Sequence, residues 1–181
     1  MEIFKAAWVA LFLLLSGDFI GTFFYHVPEH IFGKYHNLIH HSKNRSFIHY
    51  AVLTRKPLVL FNGFLAVFPY LIFIPLLWGI SPIGSILGLG LAECHVVWRH
   101  TSISESPTPI WISRICNKLC ITTPERHCLH HQDANVAYGD IFTFYDRPAQ
   151  AWYRVLLLSK RKFSKKRIEA GFLLRSLREK P

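Results

Sequence analysis

Three stretches of the chain, each about the length that crosses a bilayer as a helix, are almost free of charge. Residues 6–25 (AAWVALFLLLSGDFIGTFFY) hold one charge, Asp18; residues 58–80 hold none; residues 79–98 hold only Glu93. Hydrocarbon offers the backbone no water, so a segment inside it must satisfy its own N–H and C=O groups, which a helix does. About 20 apolar residues span roughly 30 Å of hydrocarbon. The expected fold is therefore all-α: an integral membrane helical protein with about three transmembrane helices, near 6–25, 58–78 and 81–98, and a cytoplasmic helical cap.

The first stretch reads as a retained anchor. Lys5 precedes its apolar run, but no small-residue cleavage pattern follows, and a histidine motif begins at His26. The second and third are joined by Gly79-Ile80-Ser81-Pro82, which predicts a tight helical hairpin. Of the 21 Lys and Arg residues only Lys5 lies outside segments 31–57 and 99–181. Positive residues favour the cytoplasmic side, so the N-terminus is expected to be exoplasmic and the C-terminus cytoplasmic. All eleven histidines then fall at the cytoplasmic face. The net charge of +10 sits beside the spans, where anionic headgroups attract each Lys or Arg by about 1 kcal/mol. A lipid surface, not nucleic acid, accounts for it. The four cysteines also map to the cytoplasmic side or its boundary, where thiols stay reduced, and Cys116-x-x-x-Cys120 lacks zinc-type spacing. Residues 1–159 are expected to form the membrane-embedded domain. In the basic tail, 160–181, Phe163, Ile168, Phe172, Leu173, Leu174 and Leu177 alternate with Lys and Arg, which suits an interfacial amphipathic helix or a solvated tail.

Nine of the eleven histidines are grouped: His26 with His30, His36 with His40 and His41, His95 alone, and His127 with His130 and His131. Neutral imidazole is the commonest protein ligand for a transition metal. Asp18, Thr22, His26 and His30 follow in steps of four, near one helical stripe, with Pro28 interrupting the last step. A carboxylate inside a span is costly and faces a partner. Asp18 is expected to orient a histidine through its ring N–H, or to bond a neighbouring span. His40 and His41 point about 100° apart on a helix, so the pair serves two metals or one metal and a packing contact. Segment three carries His95 to the cytoplasmic mouth, with Glu93 and Arg99 beside it. Beyond Ser106-Pro107-Thr108-Pro109 and an amphipathic stretch from Ile110 to Ile121, His127, His130 and His131 share one helical face. His49 and His100 lie outside the repeats and are expected to pack or to orient other groups. A structural zinc takes four ligands; nine suit two ions of higher coordination. With no phosphate loop, nucleophile elbow or dinucleotide fingerprint, a two-metal redox centre fits better than a hydrolase.

These motifs resemble those of the fatty acid hydroxylase/sterol desaturase superfamily of membrane di-iron enzymes. Tyr25-His26-Val27-Pro28-Glu29-His30 resembles its first HxxxH box, and Tyr35-His36-Asn37-Leu38-Ile39-His40-His41-Ser42 its second, which ends HHS. His95-Val96-Val97-Trp98-Arg99 resembles an isolated histidine followed by arginine, and Thr123-Pro124-Glu125-Arg126-His127-Cys128-Leu129-His130-His131 the final TPxxHxxHH box. Tyr138-Gly139 and Tyr145-Asp146-Arg147 resemble the closing NYG and WDR motifs, so the likeness runs from about residue 18 to 147. The chain differs from the usual pattern in three places: the longer spacer between His36 and the His40-His41 pair, Ala137 where asparagine is common, and Lys56-Pro57 where His-Pro is common.

The resemblance implies that His26, His30, His36, His40, His41, His95, His127, His130 and His131 hold two iron ions. Asp18, Glu93, Arg99, His49, His100, Tyr138 and Asp146 would support them. The implied reaction is O₂-dependent hydroxylation or desaturation of a C–H bond in a membrane lipid such as a fatty acyl chain, sterol or carotenoid. Electrons would come from NAD(P)H through cytochrome b5 or ferredoxin, a cytoplasmic carrier docking on the basic face. The membrane would be the endoplasmic reticulum in a eukaryote, or the inner or thylakoid membrane in a bacterium; oligomerisation is left open. The alternatives are a zinc-binding family member and a non-catalytic scaffold in lipid metabolism, against which the full set of nine histidines argues.

Overall fold

The computed structural model describes residues 1–33, 36–41, 47–101, 107–133 and 135–178. Among them the chain is helical throughout, apart from turns and one antiparallel bridge between Ile121 and Phe142. Helix α1 (Glu2–Ile20) passes through a π-helical turn, Gly21–His26, into α2 (Val27–Phe32), making one rod of 31 residues. Pro28 has no N–H for the carbonyl of Phe24, and the helix widens just ahead of it, with the Val27 N–H reaching back to the carbonyl of Thr22. Such π turns recur at functional places, and this one ends at His26. A second π turn, His36–His40, and α3 (Phe47–Thr54) follow.

Helices α4 (Val59–Leu71) and α5 (Ile74–Trp78) form one apolar rod with a break at 72–73, where Pro75 withholds the N–H that the Leu71 carbonyl would accept. Ser81 caps α6 (Pro82–Arg99), accepting the Gly84 N–H at 3.1 Å. Then come α7 (Ile110–Lys118), α8 (Pro124–Gln132, capped by Thr123), a 3₁₀ turn at Thr143–Tyr145, and α9 (Asp146–Arg178), which runs through the expected start of the tail at 160.

Small residues let α1 and α6 touch. A Cβ on Gly84 would lie 2.6 Å from the carbonyl oxygen of Ala6, and one on Gly88 would lie 3.1 Å from the Cα of Ala10. Ala6 with Ala10 and Gly84 with Gly88 are each four apart, the spacing by which membrane helices pack closely. The pairing order makes the two helices parallel. The α4–α5 rod runs the other way: the Tyr70 ring covers Gly17, while Leu76 and Leu77 lie beside Trp8 and Val9.

The rods Glu2–Phe32 and Val59–Trp78 are long and apolar enough to cross a membrane. Only 33% of the most apolar 18-residue stretch of the first and 18% of that of the second is buried within the fold. Phe4, Trp8 and Phe12 on α1 and Phe61, Phe64 and Phe68 on α4 face outward. Apolar faces of that extent mark a contact outside the chain, and two rods of this length and apolarity suggest a membrane protein. Helix α6, expected as a third span, carries Glu93, His95 and Arg99 in its last turns and does not reach the apolarity of the other two.

Candidate metal centre

Two groups of histidines converge where these rods end. In the first, the donor nitrogens of His26, His30, His36 and His130 lie within 4.8 Å of one another; in the second, so do those of His100, His127 and His131. His130 Nε2 is 2.9 Å from His26 Nε2 and 3.1 Å from His30 Nε2. His127 Nε2 is 3.0 Å from His100 Nε2 and 3.1 Å from His131 Nε2. Two nitrogens each about 2.1 Å from one ion, at a right angle, stand about 3 Å apart. Helix α8 serves both groups, His130 turning to one and His127 and His131 to the other. The His41 ring lies between, its centroid 5.0 Å from that of His130 and 5.1 Å from that of His131.

The chemistry of the ring nitrogens shows that these residues fit a metal. His26 Nδ1 faces the carbonyl of Tyr138 at 3.1 Å, and His130 Nδ1 faces the carbonyl of Val136 at 2.6 Å. A carbonyl only accepts, so each Nδ1 carries a hydrogen and each Nε2 is turned toward the other ring. The two Nε2 atoms thus meet at 2.9 Å, a separation that a cation bound by both would suit. His100 shows the same pattern, its Nδ1 donating to the carbonyl of Val96 at 2.7 Å. Anchoring one ring nitrogen so that the other faces the ion is how proteins orient metal-binding histidines. Burial, and then the neighbouring imidazoles, push the pKa of His36 and His130 down to about 2, and that of His127 lower still, with Arg99 adding to burial there. The rings are held neutral at pH 7, the form that ligates.

A single loop, residues 136–146, sets this geometry. Asp18, fully buried in α1, accepts the N–H groups of Asp140 (3.1 Å), Ile141 (3.1 Å) and Phe142 (2.7 Å) and the Thr22 hydroxyl (3.1 Å). Asp140 Oδ1 in turn lies 3.4 Å from His26 Nδ1 and 2.8 Å from Arg99 Nη1. Burial opposes ionisation of Asp140, but the Arg99 guanidinium, and then His26, hold its carboxyl well below the usual carboxylate range. Arg99 also donates to the Asp140 carbonyl at 2.7 Å. Asp146 accepts the Gly139 N–H at 2.8 Å and the Arg126 Nε–H at 3.0 Å, tying the loop to α8. A side chain at position 139 would run into the Phe142 carbonyl, so only glycine fits there. Thr122 N–H bonds the Ile141 carbonyl and Thr143 N–H the Cys120 carbonyl, which staples the loop to the segment before α8.

The fatty acid hydroxylase family model matches residues 10–150, from the middle of α1 to the first turn of α9. The chain belongs to the fatty acid hydroxylase family. Comparison with curated proteins and with solved structures gives no significant match. The region matched to the fatty acid hydroxylase family includes both histidine groups and the loop that aims them.

Within that family frame, the structure sorts the residues singled out from sequence. His26, His30, His36 and His130 come together, as do His127 and His131, with His41 between the groups. His95 stands apart, its Nε2–H donating to the carbonyl of Thr122 at 2.8 Å, and His100 occupies the second group. Asp18 acts on the histidines through the loop, Arg99 through Asp140, and Asp146 through Gly139. Tyr138 is fully buried, its ring centroid 5.5 Å from that of His130. Glu93 is exposed on α6, on the side facing α4. The side chains of His40 and His49 lie outside the described residues. Sequence reasoning missed Asp140 and the carbonyls of Val136 and Tyr138. An acid directly after Tyr138-Gly139 was a usable signal for the first; backbone carbonyls leave none.

Proposed function

We propose that the protein is a membrane di-iron oxidoreductase that uses O₂ to hydroxylate or desaturate a C–H bond of a lipid. The observation that carries this reading is the 2.9 Å meeting of the His26 and His130 Nε2 atoms, repeated in kind by a second histidine group on the same helix. His26, His30, His36 and His130 would hold one ion and His100, His127 and His131 the other, with His41 between them. The paired irons, when bound, supply the activation of O₂ that an unreactive C–H bond demands.

The chain's own part is positional. Asp140 and the carbonyls of Tyr138 and Val136 fix the tautomers of His26 and His130 and aim their Nε2 atoms inward. Burial of His26, His36, His127 and His130 keeps water from the ligands. The site stands at the ends of apolar rods, which favours a substrate drawn from the bilayer. In this reading α6 is the third span, and its last turns are polar because they border the metal groups. The N-terminus is exoplasmic and the site cytoplasmic, where cytochrome b5 or ferredoxin, reduced by NAD(P)H, would meet the basic face.

Elemental analysis of the purified protein tests this. About two irons per chain are expected, falling in His130→Ala, together with a cellular lipid that has gained one oxygen or lost two hydrogens. Zinc alone, with an unchanged lipid profile, would overturn the reading.

A further inference from the structure

Two cavities flank α6, and they are built differently. The larger, about 750 Å³, lies between α1, α6 and α7; among the described residues lining it the only histidine is His95, which belongs to neither group. The smaller, about 340 Å³, lies between α4 and α6 and ends at His100 and Asp140. Its α4 wall is Gly63, Ala66, Val67 and Tyr70, the i, i+3, i+4, i+7 stripe of one helical face. Its α6 wall is Ala92, Glu93, Val96 and Arg99, again one face. The remaining faces differ: Phe61, Phe64 and Phe68 of α4 point outward, and Leu91, Cys94 and Trp98 of α6 line the larger cavity.

We propose that the α4–α6 cleft admits an extended lipid chain sideways from the bilayer to the second histidine group, and that Ala66 and Ala92 set how far it reaches. This rests on the di-iron reading above and names the substrate class for it. The cleft lies between a membrane-crossing rod and α6, so its outer side meets hydrocarbon. Ala66 and Ala92 narrow it least at that level, with Tyr70 and Glu93 at its outer edge, and Arg99, His100 and Asp140 stand at its inner end. From Ala92 to His100 is about 12 Å along the helix. A cavity of about 150 Å³ takes one benzene, so this one takes roughly a dozen carbons. That is a length of slender chain with its remainder in the bilayer; a polycyclic lipid does not fit.

The test uses full-length, iron-loaded protein in phosphatidylcholine vesicles containing a fatty acid with a terminal photoreactive diazirine. After irradiation, adducts are mapped by mass spectrometry. Adducts are expected on Gly63, Ala66 and Val96, falling about tenfold in Ala66→Phe and in Ala92→Phe with iron content unchanged. Leu11→Phe, which fills the larger cavity, should leave them as they are. Adducts confined to Leu91, Trp98 and Ile112, or cleft labelling that survives both bulky substitutions in folded protein, would overturn the proposal. Preferential displacement of the probe by a sterol over a straight-chain acid would overturn the chain-shaped substrate. Cleft labelling in protein that holds zinc alone would support the cleft and remove the di-iron reading.

Discussion

Ala137 holds a backbone conformation that alanine disfavours. Its φ is 53°, in the left-handed region, at a cost of about 1–2 kcal/mol for a residue with a Cβ. The conformation is imposed from both sides, since the flanking carbonyls of Val136 and Tyr138 must reach His130 and His26. Asparagine tolerates this region better, and position 137 borders a cavity of about 340 Å³ beside Gln132 and Asp133, with room for it. Ala137→Asn should therefore raise the thermal midpoint by a few degrees, about 1 kcal/mol, with iron content unchanged; a lower midpoint would contradict the argument. His100→Ala should remove about one of the two irons, whereas His95→Ala should keep both and cost about 1–3 kcal/mol from the unpaired Thr122 carbonyl. Elemental analysis and thermal unfolding of the two variants separate these outcomes, and equal iron loss would sink the distinction. At this scale the legible residues are those whose partners are local. His127, His130 and His131 share a helical turn, so their spacing in sequence is their spacing in space. Choosing between His95 and His100 depends on where α8 docks against α6, and Asp140 matters only because Asp18, far away in sequence, holds its loop. Neither fact is written in any short stretch of chain.

Among the elements, the helices were readable and the loop was not. The expected span 58–78 agrees closely with the rod Val59–Trp78, and a helix, α6 (Pro82–Arg99), forms where 81–98 was expected, though without the apolarity of the other two rods; their limits follow Lys56-Pro57, Ser81-Pro82 and Arg99. The first rod runs past its expected end at 25 to Phe32, since helical hydrogen bonding does not stop where hydrocarbon does, and the π turn that re-aims His26 has no signature beyond Pro28. Loop 136–146 holds its shape through Asp18, whose two oxygens receive three backbone N–H groups and a hydroxyl. Asn at this position would offer one acceptor oxygen and turn an NH₂ toward donors. Asp18→Asn should cost about 2 kcal/mol or more and weaken iron retention against a chelator about tenfold, although no ligand is removed. Retention equal to the parent protein would show that the loop holds its shape without the carboxylate.

For the whole molecule, parallel packing of α1 on α6 and antiparallel packing of the α4–α5 rod bring the ends of all three to one side, where the histidine groups lie. In cells, and in a background lacking the native cysteines, Ile80→Cys should react with a membrane-impermeant maleimide from the exoplasmic side and Ser159→Cys only after permeabilisation. Reaction of both from the same side would refute the three-span orientation. The contacts that complete the centre also join distant parts of the chain: His26 and His130 are 104 positions apart. At about 5–20 residues per second, a ribosome needs roughly 5–20 seconds to bridge that gap. Through that interval His26 and His30 are already made, while the residues that aim them have yet to be synthesised. On the proposed reading, metal loading would thereby be timed to the end of synthesis, and a truncated product would carry no finished centre into the membrane.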